Sequence, residues 1–216
     1  LISAMLHDDP EEQALASFEP IAGVVLAAGG ATRFGKDKIL ETWQGAPLVR
    51  HVAQTALKAG LSPVVVVLGA VVDAAVMALG DLPVQIVINP NWANGQSTSL
   101  SAGLRSVSSR IGAALFLLAD QPQIPVRLIE DLAALHRKTL AAVVMPQVKG
   151  RRANPVLFDR VAFEDLLNIK GDTGGRTIME RYPVAWLDWD DENILLDIDT
   201  PEDYQRLLAL SQGFSS

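Results

Sequence analysis

Val24-Val25-Leu26-Ala27-Ala28-Gly29-Gly30-Ala31-Thr32-Arg33-Phe34-Gly35-Lys36-Asp37-Lys38 is an apolar run that empties directly into a glycine-rich, basic loop. The run has the composition of a strand buried on both faces, the kind found in parallel sheets. Glycines carry no Cβ and tolerate positive φ, so the backbone N–H groups of such a loop can approach an anion closely. Arg33, Lys36 and Lys38 add positive charge, and the stretch reads as a phosphate-binding turn at the end of a strand.

Two familiar phosphate patterns fail on it. Gly30 to Lys36 fits the first seven positions of a P-loop, but the eighth, which needs Ser or Thr for the metal, is Asp37. No G-x-G-x-x-G can be laid on glycines 29, 30 and 35, which excludes the dinucleotide fingerprint.

Working outward, Ile21 to Leu26, Pro63 to Leu68, Val84 to Ile88, Ala113 to Ala119 and Ala141 to Pro146 are further strand candidates that barely alternate. Between them, Pro47 to Ala59 carries apolar residues at Leu48, Val52 and Ala56 and at Val49, Ala53 and Leu57, a helical period stopped by Gly60. Leu128, Leu132 and Leu135 repeat that spacing after Pro125. Strands alternating with helices predict an α/β domain with a mostly parallel, Rossmann-like sheet and helices on both faces.

With 216 residues, 49% of them hydrophobic, the chain makes one domain with or without an appendage. Residues 1–19 read as an N-terminal appendage or linker helix, with Asp9-Pro10-Glu11-Glu12 as its start, and residues 20–216 as the domain proper. A net charge of −7 argues against a nucleic-acid partner, because neutralising that backbone needs a basic face. There is no cysteine, and His7, His51 and His136 are scattered, so a zinc centre is not expected. No stretch approaches the roughly 20 apolar residues of a bilayer span, and no signal pattern opens the chain, which sets no membrane partner and a cytoplasmic location as the expectation.

Three further segments carry chemistry. Asn89-Pro90-Asn91-Trp92-Ala93-Asn94-Gly95-Gln96-Ser97-Thr98-Ser99-Leu100 is a polar loop after the third strand, where open α/β sheets place ligands; one of its serines is expected to cap the helix that follows. Leu117-Leu118-Ala119-Asp120-Gln121-Pro122 puts a carboxylate at the end of an apolar strand, where a divalent cation is an economical partner for a costly charge. Leu196-Asp197-Ile198-Asp199-Thr200-Pro201-Glu202-Asp203 holds an evident helix start at Thr200 and Pro201, which leaves the acids before it unexplained by structure alone.

Taken together these segments resemble the nucleotidyltransferases related to the molybdenum cofactor enzymes, in particular the molybdenum cofactor cytidylyltransferases. The signature L-A-A-G-x-x-x-R-x-G-x-x-K is filled by Leu26, Ala27, Ala28, Gly29, Arg33, Gly35 and Lys38, although Ala31 replaces the small hydroxyl residue of many relatives. The N-x-x-W-x-x-G-x-x-x-S-L loop, L-A-D-Q-P and D-x-D-T-P-E-D follow in family order, together with Gly150-Arg151-Arg152-Ala153-Asn154-Pro155 and Gly171-Asp172-Thr173-Gly174-Gly175-Arg176.

The resemblance implies a fold of the nucleotide-diphospho-sugar transferase type and transfer of CMP from CTP to the phosphate of a molybdopterin-type acceptor, with Mg²⁺ as cofactor. Arg33, Lys38 and Asp120 would be catalytic. Leu26, Ala27, Ala28, Gly29, Gly30, Asn89, Gly95, Ser97 and Ser99 would hold the nucleotide, and Arg152, Asn154, Gly171, Asp172, Gly174 and Arg176 the acceptor. Asp120 and Asp199 would bind the metal, with Asp197 as the competing second ligand. A molybdoenzyme or accessory protein would be a further partner. GTP in place of CTP, a sugar or polyol phosphate as acceptor, and a nucleotide-binding module without turnover remain open at this point.

Overall fold

The computed structural model describes residues 19–30, 34, 37–169, 176–179 and 181–212, without the side chains of 176, 177, 211 and 212. The helix expected near Pro10 and most of the proposed 1–19 segment lie outside the described residues.

The apolar run of the signature forms β1 (Ile21–Ala27) at the centre of a sheet. Because the run scarcely alternates, both of its faces are available for burial. Ile21, Val25 and Ala27 join one core cluster, while Ala22 and Val24 join another on the opposite face. Around it stand β4 (Val64–Leu68), β5 (Gln85–Ile88), β6 (Ala113–Leu118), β7 (Val143–Val148), β9 (Val156–Asp159) and β10 (Val184–Asp188), with the two-residue β8 (Arg151–Arg152) on β7. The order is β10-β7-β9-β6-β1-β4-β5.

The pairs β1·β4, β1·β6, β4·β5 and β7·β10 are parallel, and β9 lies antiparallel to both β6 and β7. The mostly parallel α/β sheet expected from the sequence is therefore present, with β9 and the short β8 reversed in it. A separate hairpin joins β2 (Thr42–Trp43) to β3 (Ala46–Pro47).

On one face pack α1 (Leu48–Lys58), α2 (Val72–Leu79) and α4 (Val126–Thr139); on the other lie α3 (Gln96–Ser106), α5 (Phe163–Leu167) and α6 (Arg176–Met179). Leu128, Ile129, Leu132 and Ala133 are the buried stripe of α4, as their helical spacing requires. Gly103 lets α3 press onto the sheet, because a Cβ there would stand 2.5 Å from Val24 Cγ1. The last helix, α7 (Pro201–Gln212), belongs to a third cluster that gathers Phe34, Trp43, Leu48, Ile198 and Leu207.

From β1 the chain runs to β4 and β5 on one side and then returns to β6 on the other. The order thus reverses between β1 and β6, and open α/β sheets place ligands beyond the strand ends at such a point.

Candidate active site

Three strand ends build the site. At the end of β1, Ala27 and Ala28 are buried while Gly29 and Gly30 are exposed, so the backbone emerges from the sheet within one residue; Leu26 is half-buried. Arg33 lies outside the described residues, but Phe34 is fixed in the third core cluster, with its ring edge-on to Tyr204 at 6.1 Å.

Beyond Phe34, a 3-10 turn over Lys38–Leu40 carries Lys38 to the end of β6. There its Nζ donates to Asp120 Oδ2 at 2.7 Å and to Asp199 Oδ1 at 2.9 Å. The side chains of Lys38, Asp120 and Asp199 are 16%, 22% and 49% exposed, so the cluster opens to solvent on the Asp199 side. Burial pulls the Lys38 ammonium down, but the charge and hydrogen bond of Asp120, followed by those of Asp199, outweigh it and hold the group above its ordinary value.

The segment that brings Asp199 to Asp120 is held at several points. Ile198 N donates to Asp120 O at 3.4 Å, Gln121 Nε2 donates to Asp197 Oδ1 at 2.5 Å, and Gln123 Nε2 donates to Leu196 O at 2.7 Å. Asp197 is exposed at its surface, yet partial desolvation beside the cluster, reinforced by the negative charge of Asp120, pushes its carboxyl above the usual carboxylate range, and the Gln121 bond offsets only part of this. On the far side, Thr200 N donates to Asp203 Oδ2 at 3.0 Å and Asp203 N to Thr200 Oγ1 at 3.2 Å, a reciprocal cap that starts α7 at Pro201.

The polar loop after β5 is internally braced. Asn89 is buried; its Nδ2 donates to Thr98 Oγ1 and to Ser99 Oγ, both at 2.9 Å, and its Oδ1 accepts from Asn91 N at 3.0 Å. Ser97 and Ser99 are buried as well. The expected serine cap is not what starts the helix: the preceding residue is Gly95, at φ 107°, and no side chain caps the end. A positive φ suits glycine, and the chain needs it there to turn from the Trp92–Asn94 turn into α3. Outward from this brace, Asn91, Asn94, Thr98, Ser101 and Arg105 line an open cleft of about 530 Å³. Lys38, Asp120 and Asp199 are not among its lining residues.

Trp92 joins this loop to the signature. A Cβ on Gly30 would stand 3.0 Å from its ring, and one on Gly69, just past β4, 2.6 Å from Trp92 Cγ and from Ala28 O. The indole therefore seats against two glycines, a relationship that neither motif reveals alone.

On the proposed acceptor side, Gly171, Asp172 and Gly174 lie outside the described residues, as does the side chain of Arg176. Asn154 is half-buried beside β9. Arg152 lies with its guanidinium carbon 5.8 Å from the Trp186 ring centroid and its Nη1 3.8 Å from Met179 Sδ. The G-x-x-x-N-P segment and the helix that begins at Arg176 are thus neighbours in space.

The donor chemistry suits a hard divalent cation, since Asp120 and Asp199 already converge on one cationic group, the Lys38 ammonium. Among the described residues no set of three or more His, Cys, Asp or Glu side chains could hold a metal ion. Two carboxylates with the remaining positions left to water and phosphate oxygens is the mode Mg²⁺ commonly adopts.

A sheet of this order, with acids at the end of the strand beside β1, is the α/β fold of the nucleotide-diphospho-sugar transferases. The chain belongs to the MobA-like NTP transferase family, whose profile matches residues 23–186. It is 32% identical over 198 residues to nicotine blue oxidoreductase of Paenarthrobacter nicotinovorans, spanning 87% of this chain and 96% of that one. It is 31% identical over 200 residues to the purine catabolism protein PucB of Bacillus subtilis, spanning 87% and 95%. The crystal structure of Rv0371c from Mycobacterium tuberculosis superposes with a TM-score of 0.80 at 27% identity, over 88% of this chain and 98% of that one. The same protein has been solved in complex with manganese, with a TM-score of 0.77 at 26% identity over 88% and 98%. Among the described residues no helix is long and apolar enough to cross a membrane.

Proposed function

We propose that this protein transfers CMP from CTP to the terminal phosphate of a molybdopterin-type acceptor, releasing pyrophosphate. The observation that carries the reading is the meeting of Lys38, Asp120 and Asp199 at the reversal point of the sheet, next to the signature loop. In this reaction an ionised acceptor oxygen forms a bond to the α-phosphorus, the bond from that phosphorus to the bridging β-phosphate oxygen breaks, and pyrophosphate leaves with the electron pair.

Such a transfer asks for positioning and charge neutralisation rather than a covalent intermediate. Lys38 and Arg33 receive the negative charge of the triphosphate, the backbone at Gly29 and Gly30 approaches its oxygens, and the braced Asn89–Ser99 loop with Trp92 forms the wall on the nucleoside side. Arg152 and Asn154, with Gly171, Asp172, Gly174 and Arg176, are assigned to binding the acceptor. Asp120 and Asp199 would hold a divalent cation, Mg²⁺, which would supply further neutralisation of phosphate charge. The manganese complex of Rv0371c supports a divalent metal in this fold. The acceptor oxygen is already ionised near neutral pH, so no side chain is needed as a base.

The test offers CTP, GTP, ATP and UTP in turn, each with Mg²⁺ and molybdopterin, and follows pyrophosphate. CTP is expected to give the highest kcat/KM. A tenfold preference for GTP, about 1.4 kcal/mol in transition-state binding, overturns the cytidylyl assignment, and silence with all four overturns the transfer itself.

The 32% identity to nicotine blue oxidoreductase favours a second reading, a redox reaction on an organic substrate, which would need a redox co-substrate such as a nicotinamide nucleotide. The missing G-x-G-x-x-G weighs against it. Oxidation of NADH or NADPH in the presence of nicotine blue, read by absorbance, separates the two.

A further inference from the structure

Three acids, Asp120, Asp197 and Asp199, are brought to one strand end, and only two of them reach Lys38: among the described residues the ammonium pairs with Asp120 and Asp199. Asp197 faces a different partner. Its Oδ1 accepts from Gln121 Nε2 at 2.5 Å, and Gln121 itself is buried, 3% exposed, directly after Asp120 in the chain. The orientation of that amide is set by its neighbour, because a carboxylate oxygen can only accept from the NH₂ end.

The other end of the Gln121 amide, Oε1, is buried without a hydrogen-bond partner among the described residues. A buried orphan acceptor lowers stability, so a side chain that keeps one calls for a reason other than stability. Residues two apart on extended chain share a face, and Ile198 N donates to Asp120 O between them. Without a tether, Asp197 would be free to compete with Asp199 for the same cation.

We infer that Gln121 is a positioning residue: by holding the Asp197 carboxylate it removes that acid from the cation position and sets Asp199 opposite Asp120. This rests on the reading of Asp120 and Asp199 as the metal pair. It concerns which carboxylate meets the cation, and Gln121 itself touches neither cation nor nucleotide.

The experiment measures Mn²⁺ affinity of the nucleotide-free protein by electron paramagnetic resonance of free Mn²⁺, with kcat and nucleotide KM in parallel. Gln121→Leu is expected to weaken Mn²⁺ binding tenfold or more and to lower kcat at saturating metal, with nucleotide KM changed less than threefold. Gln121→Asn, one methylene shorter, repeats the measurement if the leucine variant does not fold. The decisive arm is an exchange: Gln121→Glu alone sets two carboxylates against each other, whereas Gln121→Glu with Asp197→Asn restores one hydrogen bond with donor and acceptor reversed. The double variant is expected to recover Mn²⁺ affinity to within threefold of the parent.

Parent-like affinity in Gln121→Leu, or a double variant no better than Gln121→Glu, overturns the inference and leaves the proposed activity standing. A parent that binds Mn²⁺ yet releases no pyrophosphate overturns the activity and leaves the inference to these affinities. A parent that binds no Mn²⁺ overturns both the metal pair and this role.

Discussion

Lys38 Nζ lies 2.7 Å from Asp120 Oδ2, although 82 residues separate the two in the chain, and the same ammonium reaches Asp199 at 2.9 Å. The lysine therefore occupies the space between two carboxylates that would otherwise repel one another. It acts as an internal counter-cation between them.

Replacing Lys38 with Met should have three separable effects. Kcat should fall on the order of 10² to 10³, the scale of losing one preorganised electrostatic group. Metal-free stability should fall by roughly 1 to 3 kcal/mol, between the values for exposed and buried pairs, while Mn²⁺ binding to the nucleotide-free protein tightens because a competing cation has gone. If only KM changes, the lysine is a uniform binding contact.

The two candidate second ligands are separated by Mg²⁺ titration of activity. Asp199→Asn and Asp120→Asn should stay inactive at all accessible Mg²⁺ or require far more of it. Asp197→Asn should titrate within a few fold of the parent, because its Oδ1 can still accept from Gln121. The reverse pattern would show that the assignment is off by one pleat.

Much of this architecture was legible because β1, β4, β6 and β7 are near-continuous apolar runs, and a run buried on both faces leaves little choice of element; β5, which includes Gln85, departs from that expectation and lies exposed at the sheet edge. Three features were not. β9 is four residues long and lies antiparallel between β6 and β7, so its place depends on tertiary pairing that no local pattern encodes. β10 alternates half-buried with exposed residues at the sheet edge, and Val184–Asp188 carries no strong period-two signal. The Lys38–Asp120–Asp199 contact spans 82 and 161 residues, and a motif can name its members without showing that the ammonium sits between the acids. Gln121 lies in the L-A-D-Q-P motif, but its bond to Asp197 spans 76 residues and no local pattern encodes it.

The reciprocal cap at the start of α7 should matter beyond helix stability. Asp203 Oδ2 accepts from Thr200 N and Thr200 Oγ1 and, at 3.3 Å, from Asp199 N. Asp203→Ala should cost about 1 kcal/mol, the usual price of a lost cap, read as a lower urea midpoint with unchanged slope. Because the bond to Asp199 N goes with it, Mg²⁺ dependence should also shift to higher concentration; a purely structural cap would leave that dependence unmoved.

Close packing of α3 gives a core prediction away from the chemistry. A Cβ on Gly103 would meet Val24 Cγ1 at 2.5 Å and Val67 Cγ2 at 3.0 Å, and both valines are fully buried in strands that cannot retreat. Gly103→Ala should destabilise by roughly 1 to 3 kcal/mol despite the better helix propensity of alanine, since overpacking a filled core outweighs the gain of about 1 kcal/mol in propensity. A variant more stable than the parent would mean that α3 can lift from the sheet.

His51 supplies the pH dependence. Its ring is half-buried on α1, tilted against Trp43 at 5.0 Å between centroids, with Nε2 on the Trp43 carbonyl. Burial holds its pKa below the ordinary value of 6.5; the Trp43 carbonyl opposes this, and the charge of Lys58 adds to it. The unfolded chain then binds more protons than the folded one in the interval below about 6.5, so stability rises with pH there. Above that interval the ring is neutral in both states and contributes no slope. Below the folded value both states are protonated and the loss is complete. Asp197, held high by partial desolvation, acts in the opposite sense, gaining stability as pH falls, but that contribution is common to parent and variant and cancels in their difference. Urea midpoints of the parent and of His51→Gln, taken from pH 7.5 down to pH 5, should therefore diverge below about 6.5, with the parent losing ground relative to the variant as acid is added. A difference that stays flat, or that moves in the parent's favour, would mean that the folded protein accepts the proton on His51 as readily as the unfolded chain does.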